Sequence, residues 1–308
     1  MSTRYGRLKQ LEPVGPGGEA LLDYSVFDAH RAGFSRVLLI IREELEEAFR
    51  SHIEGRWPKE LEVVFHHQRI DDLPGVPGVG SSLSGFSSTA LDQRKKPWGT
   101  AHAVLSARPR LPGPFVVLNA DDFYGESAFQ RAVEFLSAES PPGRSGVATF
   151  GLVTYSLEDT LSEHGGVSRG ICQVDSHGWL EGIEEVLEIR RGSGGISGKT
   201  VAGRGLELKG SEPISTNFWI FTPAIFPLLE AGFADFFRAQ NELSSPSQRE
   251  FLMPTEVNRA VGKGVARVRA IPTTDRFLGI THPDDREWVV EGLVEMTQAG
   301  RYPSPLWA

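Results

Sequence analysis

With one cysteine in 308 residues, Cys172, the chain cannot close an internal disulfide, and a reduced, cytoplasmic setting is the expectation. Long hydrophobic runs are missing too. The longest, Val37-Leu38-Leu39-Ile40-Ile41, is strand-sized, far below the roughly 18 residues a membrane span needs. Met1 to Gly6 holds no apolar centre of the kind that marks a secretory leader. Basic charge is scarce: 32 Lys and Arg against 40 Asp and Glu give a net charge of -8. That excludes a general nucleic-acid binder, which needs a basic face for phosphates, but leaves room for a nucleotide site built from a few local cations. No repeat array occupies the C-terminal end, which argues against an appended β-helix.

What remains is an ordinary globular composition, 40% hydrophobic and 23% charged, carried by alternating elements. Leu22, Val26 and Ala29 step at i, i+4 and i+7 and predict a helix over 19–32, stopped by Gly33. Val37 to Ile41 reads as a strand buried on both faces. Residues 43–54 and 126–138 read as helices, and Leu61 to Phe65 and Phe115 to Leu118 as strands. Such β-α units predict an α/β fold with a mainly parallel sheet flanked by helices. From 146 to 221 strands dominate, and helices return near 223–240, 247–261 and 283–298. Residues 74–89, rich in Gly, Pro and Ser, read as a long loop of functional type, and 191–211, Gly-rich and basic, as a flexible excursion. No break in composition demands two domains, so 1–308 is read as one.

Three segments carry residues suited to chemistry. Arg4-Tyr5-Gly6-Arg7-Leu8-Lys9 is a basic loop ahead of a helix, which serves as a solvated surface or as a grip on polyphosphate. Arg94-Lys95-Lys96-Pro97-Trp98-Gly99-Thr100 sets three cations before a turn that opens a helix. Thr100 suits a plain N-cap or a ligand contact, and Gly99 lets a ligand approach the backbone. Leu118-Asn119-Ala120-Asp121-Asp122 places paired carboxylates beyond the C-terminal end of a strand, where open α/β sheets bind ligands. Adjacent aspartates repel each other, which a divalent cation relieves; a turn with a helix cap is the plainer use.

In this order the segments resemble the nucleotidyltransferase family that includes glucose-1-phosphate thymidylyltransferase and UTP-glucose-1-phosphate uridylyltransferase. Thr3-Arg4, Lys9 and Leu11-Glu12-Pro13-Val14 match the end of the family's opening signature. Gly99-Thr100-Ala101 resembles its nucleoside contact, and Asp121 falls where the family places a metal-binding aspartate. His164 to Gly170, Val174-Asp175 and Ile183-Glu184-Glu185 resemble the region that closes over the sugar, and Ser215 to Phe221 the strand that offers an Asn to sugar hydroxyls.

The resemblance implies a Rossmann-like sheet of the nucleotide-diphospho-sugar transferase type, with a nucleotide-binding half at 1–145 and a strand-rich sugar-binding half at 146–308. It implies transfer of a nucleoside monophosphate from an NTP to a sugar-1-phosphate, with release of pyrophosphate. Arg4 and Lys9 would be the catalytic cations, with Thr3, Gly99 and Thr100 at the nucleotide. Gly166, Glu185 and Asn217 would meet the sugar. Asp121, with Asp275 as candidate second ligand, would hold Mg2+. No nucleic-acid or membrane partner is implied, and self-association into a homo-oligomer is left open. The reading requires Asp121 to lie close to Arg4 and Lys9.

One departure matters. Family members open with an apolar strand and an Ala-Ala-Gly-x-Gly turn, whereas Met1 and Ser2 stand where that turn ends. The first strand and most of the Gly-rich loop are therefore missing from the sequence. That opens a second reading, a non-catalytic nucleotide-sugar-binding or regulatory homologue. A third is transfer to a non-sugar phosphate such as phosphocholine. Of the remaining candidates, His66-His67 read as structural because strand neighbours face opposite sides. His102 reads as a support behind the site, Cys172 as an apolar filler, and Trp98 and Tyr124 as core or as packing near the ligand.

Overall fold

The computed structural model describes residues 3–4, 7–76, 88–138, 147–243 and 249–307, with backbone alone for Thr3, Arg4, Arg7 and Thr89. Most of the loop read at 74–89 thus lies outside the described residues. The N-terminal elements are β1 (Thr3–Arg4), β2 (Arg7–Leu8), α1 (Leu21–Arg31), β3 (Arg36–Ile41), α2 (Glu46–Ile53) and β4 (Glu62–His67). There follow α3 (Thr89–Asp92), α4 (Thr100–Ser106), β5 (Phe115–Val117), β6 (Asp122–Phe123) and α5 (Glu126–Ala138). The strand-rich stretch holds β7 (Ala148–Ser156), β8 (Val167–Val174), β9 (Leu180–Gly192), β10 (Gly195–Thr200), β11 (Gly205–Leu208) and β12 (Pro213–Phe221). The chain ends with α6 (Ile225–Asn241), α7 (Met253–Gly262), β13 (Ala266–Pro272), β14 (Leu278–Gly279) and α8 (Asp285–Gln298).

Apolar periodicity set most of these elements. In α1, Leu22 and Val26 join a cluster with Leu39, Ile41 and Phe49, while Ala29 reaches a second one with Phe129, Val153 and Ile220. The helix starts where the Ala20 amide donates to Asp23 Oδ2 at 2.7 Å and stops at Gly33, with φ 98°.

Two expectations need correction. The sheet is not mainly parallel: of the ten ladders between named strands, only β3·β4 and β7·β13 are parallel. The eight-stranded sheet runs β11-β10-β9-β8-β12-β7-β13, with β5 also on β12. Its strands from β8 to β11 return directly by short turns, and only antiparallel neighbours can do that. The excursion at 191–211 is part of this sheet, as the β10–β11 ribbon with Ile196 opposite Leu208. Its glycines serve the ribbon: Gly195 and Gly203 turn at φ 113° and 82°, and a Cβ on Gly198 would stand 2.7 Å from a Val186 methyl.

The two halves differ in continuity. β3 and β4 form their own two-stranded sheet, and β5 pairs with β12 alone, so no ladder joins β3 to β5 among the described residues. Leu152, Val153, Phe218, Trp219, Ile220 and Phe221 are fully buried. Val37, Leu38 and Ile40 of β3 and Val116 and Val117 of β5 are only half-buried. The segment read as buried on both faces is so only at Leu39 and Ile41, because a neighbouring strand is lacking. Polar contacts tie the β3–β4 pair to α4 and the segment between α4 and β5 instead. Arg36 Nη1 donates to the Arg110 carbonyl at 2.9 Å, and His66 Nε2 lies 3.0 Å from Ser106 Oγ.

Candidate active site

From β2 the chain enters a 3-10 turn at Lys9–Leu11, which carries the Lys9 ammonium to Asp121, Nζ to Oδ2 2.7 Å. Both side chains are largely shielded, at 16% and 26% exposure. The proximity required of Lys9 and Asp121 is therefore met by direct contact across 112 residues of chain. Thr3 and Arg4 sit on β1, paired with Leu8 and Arg7 of β2; their side chains lie outside the described residues.

Asp122 turns away from Lys9. The β6·β14 ladder sets it opposite Gly279, where a Cβ would stand 2.8 Å from Asp122 Oδ1. Asn119 Nδ2 donates to Asp122 Oδ2 at 2.9 Å. Burial first, and then the Asp121 charge, push the Asp122 carboxyl up. The Arg169 and Lys9 charges oppose that rise, and Lys9 pairs directly with Asp121. Among the described residues no three His, Cys, Asp or Glu side chains converge as a metal cage. A hard divalent ion on Asp121 would complete its shell with phosphate oxygens and water, the usual habit of Mg2+.

Asp275 has another task. Its Oδ2 accepts from the Ser127 amide at 2.6 Å and the Ser127 hydroxyl at 2.7 Å, and Oδ1 from Arg301 Nη2 at 3.2 Å. It caps the N-terminus of α5 and packs on Gly125, where a Cβ would lie 2.6 Å from its own. Asp275, expected as a second metal ligand, thus also serves as a helix cap whose oxygens take three donors.

At the α4 entrance, the close approach permitted by Gly99 is made by the protein itself. Gly99 has φ 114°, and a Cβ there would meet the Phe251 carbonyl oxygen at 2.6 Å. The Thr100 hydroxyl accepts from the Met253 amide at 3.1 Å, so it caps α7 and not its own helix. Gln68, which sequence reasoning missed, closes β4 and donates from Nε2 to the Gly99 carbonyl at 2.9 Å. The available signal was a polar residue at a strand's C-terminal end, the same edge that carries Asp121. His102 is buried, with Nε2 2.7 Å from the Asp72 carbonyl oxygen, and burial pushes it down to about 4. Trp98 and Tyr124 are core residues, at 1% and 0% exposure.

The residues expected at the sugar divide into two groups. A row across three strands aligns Glu185, Gly170 and Ser215. A Cβ on Gly170 would stand 2.8 Å from Ile183 Cγ2, 3.6 Å from Ser215 Cβ and 3.9 Å from Glu185 Oε2, so the glycine makes room for the Ile183 side chain. Two residues beyond Ser215 the β12 register breaks, and Asn217 takes φ 64°, a conformation Asn tolerates better than most. Burial pushes the Glu185 carboxyl up, opposed by the Arg169 charge. Gly166 lies elsewhere, four residues back along β8, about 13 Å for extended chain, with its carbonyl 3.0 Å from His282 Nε2. Asp175 is also remote: it accepts from the His177 and Trp179 amides, both at 2.8 Å, within the β8–β9 turn.

This architecture recurs in solved nucleotidyltransferases. HddC from Yersinia pseudotuberculosis superposes with a TM-score of 0.54 at 14% identity, over 95% of both chains; it has also been crystallised with GMP-PN. The inositol-1-phosphate CTP transferase from T. maritima gives 0.54 at 12% identity, over 92% of this chain and 85% of that one. A Bacillus anthracis protein assigned as a glucose-1-phosphate thymidylyltransferase, solved with sucrose, gives 0.53 at 12%, over 92% and 86%. No protein-family model matches the chain, and no curated protein matches it by sequence. The chain thus has the fold of sugar-phosphate nucleotidyltransferases, at identities that speak for fold alone.

Proposed function

We propose that the protein transfers a nucleoside monophosphate from an NTP to a sugar-1-phosphate and releases pyrophosphate. The observation that carries this is the Lys9–Asp121 contact at a strand tip, on a fold shared with nucleotidyltransferases. An oxygen of the sugar-1-phosphate forms a bond to the α-phosphorus as the bond to the β-phosphate oxygen breaks, in line. The attacking phosphate is already ionised at neutral pH, so no general base is needed, and positioning with charge neutralisation supplies the catalysis. Lys9 holds the phosphates at the attacked centre, and Arg4 steadies the departing pyrophosphate. Asp121 would hold Mg2+, which supplies charge neutralisation on the phosphates. Gly99, Thr100 and Thr3 border the nucleotide, with Gln68 beside them. Glu185 and Asn217 meet the sugar hydroxyls, and Gly166 lies apart from them.

The split sheet bears on where the family's opening strand would lie. In this reading the strand belongs between β3 and β5, on edges without a ladder, and would cover Leu38, Ile40 and Val116. The same gap favours a second reading for the chain as it stands, binding of nucleotide sugar without turnover. The experiment is pyrophosphate release from a panel of NTPs and sugar-1-phosphates with Mg2+, using the chain with and without an added opening strand. Release that depends on both substrates supports transfer. No release with any pair, together with nucleotide-sugar binding that survives Asp121→Ala, supports the second reading.

A further inference from the structure

Of the three cations that precede the Gly99 turn, one is committed inside the protein. Lys95 and Lys96 are exposed and, among the described residues, form no ion pair. Arg94 is only 7% exposed, and its guanidinium donates to three backbone carbonyls: Nε to Lys96, Nη2 to Pro97 and Nη1 to Arg249, each at 2.7 Å. Its Cζ stands 4.5 Å from the centre of the buried Trp98 ring, which is itself fixed by Nε1 donating to the Ile70 carbonyl at 2.7 Å. Among the described residues no carboxylate pairs with Arg94; burial pushes its pKa down, opposed by the Glu250 charge. A buried charge without a counter-ion is unfavourable unless hydrogen bonds hold it, and a planar fork of fixed N–H donors suits three carbonyls better than a single ammonium does.

The carbonyls so held flank the point where the backbone is least constrained. Gly99 takes φ 114° without a steric penalty, so its own conformation does not hold the turn. Residues 249–253 hold it. The Phe251 amide donates to the Trp98 carbonyl, the Ala101 amide to the Phe251 carbonyl at 3.0 Å, and the Met253 amide to Thr100 Oγ1 at 3.1 Å. Arg94 closes the same ladder at its Arg249 end. We propose that Arg94 is a positioning residue for the nucleotide, resting on the function proposed above. It locks the Gly99–Thr100 turn to 249–253, so that the two segments move as one body and NTP affinity depends on a guanidinium whose donors are committed to backbone. Among the described residues Glu185 and Asn217, assigned to the sugar, make no hydrogen bond to this ladder, so acceptor affinity does not depend on it.

The test is calorimetric binding of the α,β-methylene analogues of ATP, GTP, CTP, UTP and dTTP to wild type, Arg94→Lys and Lys95→Gln, with kinetics on the substrate pair that turns over. Arg94→Lys keeps the charge and loses the fork. It weakens the analogue that wild type binds by at least about tenfold and raises KM for the NTP by a similar factor, with KM for the sugar-1-phosphate within about twofold. Lys95→Gln removes a neighbouring charge and stays within about twofold for both. Hydrogen exchange in wild type tests the coupling without a substitution: bound analogue slows exchange of the Phe251 and Met253 amides. Unchanged NTP affinity in Arg94→Lys, an equal loss in Lys95→Gln, a parallel rise in both KM values, or no added protection at Phe251 overturns the assignment. If Arg94→Lys does not fold, the exchange result decides. Analogue binding without turnover in wild type fails the reaction, and affinity with exchange then judges Arg94; no analogue binding overturns both.

Discussion

The two halves of this molecule are built to different standards of closure. From β7 to β13 the strands form one continuous sheet, and inward residues such as Phe218 and Ile220 are sealed. In the N-terminal half β3 and β4 pair only with each other and β5 only with β12, with apolar Leu38 and Val116 partly buried. The half with the longer sheet carries Glu185 and Asn217; the half with the gap carries Lys9, Asp121 and the Gly99 turn. On the proposed function, activity depends on what completes β3 and β5.

That contrast can be broken most sharply at the strand tip. Asp121→Asn lowers turnover by about 10²–10³-fold if charge at this point organises the phosphates. A drop below about tenfold, read from pyrophosphate release, would place the chemistry elsewhere. Core truncation comes next. Ile220→Ala in the sealed sheet costs about 2–5 kcal/mol in denaturant unfolding, whereas Leu38→Ala costs under about 2 kcal/mol. In a chain extended by an apolar opening strand the Leu38 cost rises into the Ile220 range. An unchanged Leu38 cost in that chain contradicts the placement of the strand.

His102 gives a pH test of the junction between the halves. Its folded-state value is pushed down to about 4 by burial, so the unfolded chain binds the extra proton between about pH 6.5 and 4. Stability is therefore lost as pH falls through that window, by up to about 3 kcal/mol, and His102→Asn flattens the profile. The smallest effect is at Asp275. Removing its charge in Asp275→Asn costs about 1 kcal/mol of stability through the weakened α5 cap, measured by thermal unfolding.

Sequence reading reached the elements with clear periods. The helix over 126–138 matches α5 at both ends, and the closeness of Lys9 and Asp121 is what the family resemblance implies. It failed where tertiary geometry decides. Asp275 looks like a ligand in sequence because a cap in three dimensions can serve a helix 148 residues away. The ribbon at 191–211 looked like loose chain because its glycines are spent on turns and on close packing against Val186. That Gly170 sits between Glu185 and Ser215 is set by strand register, which the sequence does not print.

The most direct trial of the account is calorimetric titration of Mg2+ with a non-hydrolysable NTP into wild type, Asp121→Asn and Asp275→Asn. The account predicts metal-dependent binding in wild type, weakened at least about tenfold by Asp121→Asn and kept by Asp275→Asn. Equal affinity in wild type and Asp121→Asn, or loss confined to Asp275→Asn, would contradict it.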